Sequence, residues 1–201
     1  MYNYRALKKM FYSEGKEISK LADNLDFATI QKLIELIGSC QGNIFTSGCG
    51  TSAMAAKKIV HTLSVIDYKA FYLNPSDAVH GALGAVGRKD IVILISKGGD
   101  TEELAAFLPN LKEKGVYIIA ITENDKSNIA ESSDLVFKIF VENELDPYNM
   151  LATTSTLAVI SLFDVIAVSL MKTNNFSEAQ FLNNHPSGDV GKRLDEDVNP
   201  R

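Results

Sequence analysis

The chain is predicted to fold as an α/β protein around a five-stranded parallel sheet of flavodoxin-like order 2-1-3-4-5, with helices on both faces. Three observations lead there. Apolar runs of strand length occur at 43–47, 69–73, 91–96, 116–122 and 135–140, and they alternate with segments of helical period. Those runs lack the strict apolar/polar alternation of a half-exposed strand, so they suit strands covered on both faces and joined by right-handed crossovers. Turns rich in Gly, Ser and Thr follow the strands, where open α/β sheets collect their ligands.

The 201 residues are 46% hydrophobic, enough for a sizeable core and a single domain over 1–201. Within it, 1–40 reads as a helical pair, 41–173 as the α/β core and 174–201 as a tail. A formal charge of −5 disfavours nonspecific nucleic-acid binding, which needs clustered Lys and Arg. Cys40 and Cys49 are the two cysteines, without zinc-type spacing, and the N-terminal MYNYRALKKMFYSEGKE lacks the apolar core of a signal peptide. A cytoplasmic protein without metal or redox cofactor is expected. Repeats and low-complexity segments are lacking.

Taken in order, 2–23 and 26–39 have amphipathic spacing, with Leu7, Met10, Phe11, Ile18 and Leu21 in the first and Ile30, Leu33, Ile34 and Ile37 in the second. This pair packs either on a neighbouring subunit or on its own sheet. The strand at 43–47 runs through SGCGTS into a helix over 51–65, and the strand at 69–73 into a loop containing NPSDAVHGALGAV. The strand at 91–96 enters KGGDTEEL and a helix over 101–114; after the strand at 116–122 comes a short helix near 127–132. The last strand, 135–140, is joined by a longer loop to TTST and a helix over 153–172. That helix is apolar nearly all round, but Ser155, Ser161 and Asp164 interrupt it, and its apolar part falls short of the roughly 20 residues a bilayer needs. It is expected in the core or at a subunit interface, with no membrane partner.

The turns carry the chemistry. Gly48 and Gly50 let the backbone bend sharply and approach a ligand, while Ser47, Thr51 and Ser52 add hydroxyls where free helix amides point outward. The same grammar recurs at Ser96, Lys97, Gly98 and Thr101, and again at Thr153, Thr154 and Ser155. Three such turns can converge on one phosphate or polyol. Candidates for proton transfer are His80, Asp100, Glu102, Glu103, Glu144 and His185. Each has a plainer structural reading: Glu103 as an acid complementing a helix dipole, Glu144 as a surface acid, His80 as a loop residue, His185 as part of an exposed tail. His61 reads as an ordinary helix residue, and Cys49 as a small turn residue.

From SGCGTS at 47–52 onward, the chain resembles the sugar isomerase (SIS) domain of the arabinose-5-phosphate isomerase family. The segments that carry the resemblance are SGCGTS, AVHGALG at 78–84, SKGGDTEE at 96–103, ENELDPYNMLATTST at 142–156 and HPSGDVGKRL at 185–194. They follow the family's GMGKSG, AxHGDLG, SNSGESSE, EACPLGLAPTSSTT and HPGGxLGR(K/R)L. The paired AVHG and HPSG segments are more specific than any Gly-rich turn. The resemblance implies interconversion of D-arabinose 5-phosphate and D-ribulose 5-phosphate by acid/base enediol chemistry, in a homo-oligomer, dimer or tetramer, with sites at subunit boundaries.

By the same resemblance Glu103, Glu144, His80 and His185 fall on functional positions. Glu144 or Glu103 is expected as the C2 base and His185 as the proton shuttle near the sugar oxygens. Ser47, Ser52, Ser96 and Thr101 are expected on the phosphate, with Thr153 to Ser155 capping a helix beside the sugar. Two departures stand out. The family's first-turn lysine is Thr51 here, and Lys97 stands where the family usually has Asn, so Lys97 is expected to restore the missing positive charge. The family's paired CBS domains, and regulation through them, are expected to be absent. The alternatives to this reading are a noncatalytic phosphosugar-binding or sensing module and a 6-phospho-3-hexuloisomerase-like enzyme.

Overall fold

The computed structural model describes residues 3–189. Its elements, in chain order, are α1 (Tyr4–Asn24), α2 (Phe27–Gly38), β1 (Ile44–Gly48), α3 (Gly50–Val65), β2 (Ala70–Tyr72) and α4 (Pro75–Ala78). A 3₁₀ turn (Ala82–Ala85) precedes β3 (Ile91–Ile95), α5 (Glu102–Ala105), α6 (Leu108–Lys114), β4 (Tyr117–Thr122) and α7 (Asn128–Glu131). The chain continues through β5 (Leu135–Lys138) and α8 (Thr154–Thr173) to α9 (Glu178–Asn184).

The five strands form one parallel sheet of order β2-β1-β3-β4-β5, as the apolar runs predict. Every residue of β1 and β3 is buried, and side-chain alternation divides each strand between two cores. Ile91, Ile93 and Ile95 join the core under α1, α2, α3 and α8, whereas Val92 and Leu94 join the core under α5 and α6. Each fully buried Leu, Ile or Phe there contributes about 1.5–3 kcal/mol.

The helical pair packs on its own chain. Leu33 and Ile37 of α2 and Leu21 of α1 belong to the same core as Leu162, Phe163 and Ile166 of α8. The N-terminal half of α1 does not share this, since Tyr4, Phe11 and Tyr12 are exposed. Contrary to the expectation that its apolar part is too short, α8 is long and apolar enough to cross a membrane by length and composition, because its few polar residues are spread along 20 residues. In this fold its inner face is core, with Phe163 and Ile166 almost wholly buried.

One expected helix is broken. The pattern over 101–114 resolves into α5 and α6, with Phe107 between them at φ −111°, ψ 3°. Pro109 is the cause, because it has no N–H for the carbonyl four residues back and its ring disfavours helical backbone before it. Gly115, at φ 65°, then ends α6 in the left-handed region. The short helices α4 and α9 and the 3₁₀ turn were not anticipated by periodicity, which one or two turns are too short to display. β5 ends at Lys138 rather than 140, with Ile139 N–H still donating to Thr122 O at 3.0 Å.

Candidate active site

Topology sets the place. The chain leaves β1 for β2 on one side and returns to β3 on the other, so β1 and β3 lie side by side at the switch point, with Gly48 opposite Ile95 in register. The turns after these strands therefore start at the same height. Gly48 is required by close approach: a Cβ there would stand 2.9 Å from the Ser52 carbonyl carbon and 3.1 Å from Ile95 O. Gly99 is required twice over, by φ +77° and because its Cβ would fall 1.9 Å from Ser127 Oγ.

Beyond the first turn α3 opens with Cys49 as its N-cap, making no side-chain capping bond. Among the described residues, the first-turn amides of α3 thus lack a side-chain acceptor from the N-cap, a favourable setting for an anion. In the second turn Ser96 Oγ and Thr101 Oγ1 are 2.7 Å apart and Gly99 N–H donates to Ser96 Oγ at 3.0 Å, so these hydroxyls shape the turn itself. Lys97 extends from it. Its Nζ donates to Glu144 Oε1 at 2.7 Å and lies 3.9 Å from Glu123 Oε1.

Glu144 is the most constrained group in the region. Its side chain has 0% exposure, and Oε2 accepts from Thr153 N–H at 2.9 Å, Thr153 Oγ1 at 3.1 Å and Ser155 N–H at 3.1 Å. Burial alone would raise its pKa; Lys97 and the Ser155 and Thr153 donors outweigh burial and bring it down to about 2. A carboxylate held this way is a clamp joining the β3 turn to the N-terminus of α8. Thr153 Oγ1 also accepts from Leu145 N–H at 3.0 Å, while Thr154 Oγ1 is buried without a partner among the described residues.

A cavity of about 90 Å³ lies between these turns, lined by Thr51, Ser52, Lys97, Glu123, Ser155 and Thr156 on its polar side. Its apolar floor includes Ile95, Ile121 and Val159. Thr51, Ser52, Lys97 and Ser155, from three separate turns, are thus brought together. Ser47 is not among them: it is buried, and its Oγ donates to Leu73 O at 2.7 Å, which fastens β1 to β2. Glu103 is exposed on the first turn of α5, close enough to Cys49 that its charge adds to burial in pushing that thiol's pKa up. His80 is exposed just after α4, on the segment leaving β2.

His185 lies elsewhere in the chain. It caps α9 and stacks on Phe181 with ring centroids 5.6 Å apart, and its Nδ1 is buried without a partner among the described residues. α9 is fastened to the far end of α3, where Asn184 Nδ2 donates to Val65 O at 3.1 Å and to Asp67 Oδ1 at 2.6 Å. α3 has 16 residues, and at 1.5 Å per residue its two ends are about 24 Å apart. Within one chain His185 and the Thr51 turn sit at opposite ends of that helix. The rest of HPSGDVGKRL, from 190 on, falls outside the described residues.

Glu123 was missed by sequence reasoning. It follows β4 directly, and the position was a signal in itself, being the carboxyl end of a strand beside the switch point. The run TENDK at 122–126 carries no Gly-rich turn, so it reads as an ordinary loop.

A doubly wound parallel sheet whose hydroxyl-bearing turns meet over a cavity at the switch point defines an α/β domain suited to a small polar ligand. More narrowly, the chain belongs to the SIS domain family, which matches residues 39–169. It is similar to the arabinose 5-phosphate isomerase KpsF of Escherichia coli, with 34% identity over 193 residues, covering 96% of this chain and 61% of KpsF. The chain thus spans less than two thirds of that relative. Among solved structures it is similar to a protein of Listeria monocytogenes described provisionally as a sugar-phosphate isomerase. The two share 44% identity at a TM-score of 0.89, over 92% of this chain and 96% of that one. It is also similar to c3406 of E. coli CFT073, solved in complex with arabinose 5-phosphate, with 33% identity and a TM-score of 0.88 over 92% of this chain and 100% of that one.

Proposed function

We propose that the protein is a sugar-phosphate aldose–ketose isomerase that interconverts D-arabinose 5-phosphate and D-ribulose 5-phosphate. The observation that carries this reading is the likeness to c3406, bound to arabinose 5-phosphate, along its whole length. The cavity's chemistry agrees with it: Thr51, Ser52 and the Lys97 ammonium at an uncapped helix start suit a phosphate, and Ser155 suits a sugar hydroxyl.

The reaction moves hydrogen within the sugar. A base takes the proton from C2 as O1 gains one, giving the enediol; O2 then loses its proton and C1 gains one, leaving the ketose. Of the carboxylates expected as base, Glu103 suits the role better, since both Glu144 oxygens already accept from strong donors. Glu144 supports the site by fixing Lys97 and the start of α8. His185 serves as the shuttle, from a second copy of the chain, because its own α9 lies at the remote end of α3. His80 adds to the rim of the site. The reading includes a cytoplasmic homo-oligomer, dimer or tetramer, with sites between subunits; the remote place of His185 within its own chain supports the shared sites.

An isomerisation assay with five- and six-carbon aldose and ketose phosphates tests the proposal. Turnover of D-arabinose 5-phosphate ahead of the hexulose phosphates is expected. Absence of turnover with every sugar phosphate would defeat it.

A further inference from the structure

A carboxylate that lines the cavity, Glu123, is in a situation the reverse of Glu144's. Glu123 is held by its backbone at the root of the Lys97 turn: its N–H donates to Lys97 O at 3.0 Å, the same carbonyl that accepts from Thr122 Oγ1 at 3.0 Å. Its side chain lines the cavity at 20% exposure. Lys97 Nζ is 3.9 Å from it, too far for a hydrogen bond, and is committed to Glu144 at 2.7 Å. Glu144 therefore has its acceptor sites filled, while Glu123 faces the cavity with acceptor capacity left over.

Charge makes this position consequential. One ammonium serves two carboxylates at the cavity, and a bound phosphate monoester would add about −1.5 to −2 more near pH 7. A third anionic centre in a partly desolvated site is relieved most directly by protonating the carboxylate that has no firm partner among the described residues. The surroundings already lean that way. Burial raises the Glu123 pKa and the Glu144 charge adds to the rise, against opposition from Lys97 and the Val141 amide. Asp125, two residues on, is paired with Lys138 at 3.3 Å.

We propose that Glu123 touches the substrate and binds it in the protonated form, donating a hydrogen bond to an oxygen of the phosphosugar, with the proton drawn from solvent as the ligand enters. The inference rests on the phosphosugar reading of the site and assigns it a further specificity-determining residue. Phosphosugar binding is then linked to proton uptake at a side chain, and affinity falls with rising pH more steeply than ionisation of the phosphate explains. A glutamine at this position resembles the neutral acid in size and donates a hydrogen bond without a titrating proton.

Calorimetric titration of the full chain with D-arabinose 5-phosphate, at one pH in buffers of different ionisation enthalpy, counts the protons exchanged. Wild type is expected to take up more protons than Glu123→Gln, up to one per site, since the phosphate's own protonation is common to both. Glu123→Gln should bind at least as tightly as wild type at pH 8, and Glu123→Ala about tenfold more weakly than Glu123→Gln. Equal proton numbers in wild type and Glu123→Gln, or a tenfold weaker Glu123→Gln at pH 8, would overturn the assignment while leaving the phosphosugar reading intact. A wild-type protein that binds neither this nor any other sugar phosphate would sink both.

Discussion

Glu144 and Lys97 form an ion pair of unequal halves, 2.7 Å apart, in which the carboxylate side chain is 0% exposed and the lysine 40% exposed. The buried half is fixed by the first amides of α8, so the exposed half is delivered to the cavity as a positioned cation. We propose that Lys97 takes the place of the family lysine that the first turn lacks at Thr51.

Stability should depend on pH through Glu144. Its folded pKa of about 2 lies below the ordinary 4.5, so the folded state is favoured above the higher value and loses that contribution as pH falls toward the lower. Allowing for solvent around Lys97, the effect is on the order of 1–3 kcal/mol. Urea unfolding of wild type and Glu144→Gln should show that difference at pH 7 and a narrowing gap toward pH 2.5. A gap constant with pH would show that the charge of Glu144 has no part in it.

Lys97→Ala should weaken D-arabinose 5-phosphate binding by at least tenfold, in keeping with about 1.5–3 kcal/mol for a hydrogen bond to a charged group. The loss should shrink at high salt, which screens the exposed ammonium. Undiminished affinity would remove Lys97 from the binding site.

Ser47 and Ser52 should separate. Ser47→Ala leaves Leu73 O without its donor and should cost about 1–3 kcal/mol of unfolding free energy with KM unchanged. Ser52→Ala removes a cavity hydroxyl, so KM should rise while the melting temperature stays put. Steady-state kinetics beside thermal melts would decide, and the reverse pattern would move the phosphate site to the other side of β1.

Active sites shared between copies should show complementation. Glu103→Gln and His185→Ala are each expected to lower kcat by at least a hundredfold, in line with the roughly 10²–10⁴ that a positioned acid or base supplies. Mixing the two after subunit exchange should restore activity, because a hybrid regains one site with both groups. Mixtures no more active than their parts would place both groups in one chain's site.

Much of this architecture is legible in the amino-acid order, because burying a strand on both faces demands a continuous apolar run, and runs such as IVILIS leave no other placement. Strand order, the switch point and the turns after β1 and β3 follow from that demand together with the handedness of crossovers. The break in the helix expected over 101–114 was missed, although Pro109 carried its signal. What a side chain does at the end of its strand is another matter. Ser47 and Ser52 look alike in SGCGTS, yet register sends one into the β1–β2 seam and leaves the other at the cavity. Glu144 becomes a clamp through partners 47, 9 and 11 residues away in the chain, a distance no local pattern spans. The sequence alone determined the scaffold, since hydrophobic burial acts through composition and period. Only the tertiary structure decided which hydroxyls and carboxylates are spent holding it together and which remain for a ligand, since hydrogen bonds and desolvation depend on neighbours that folding brings together.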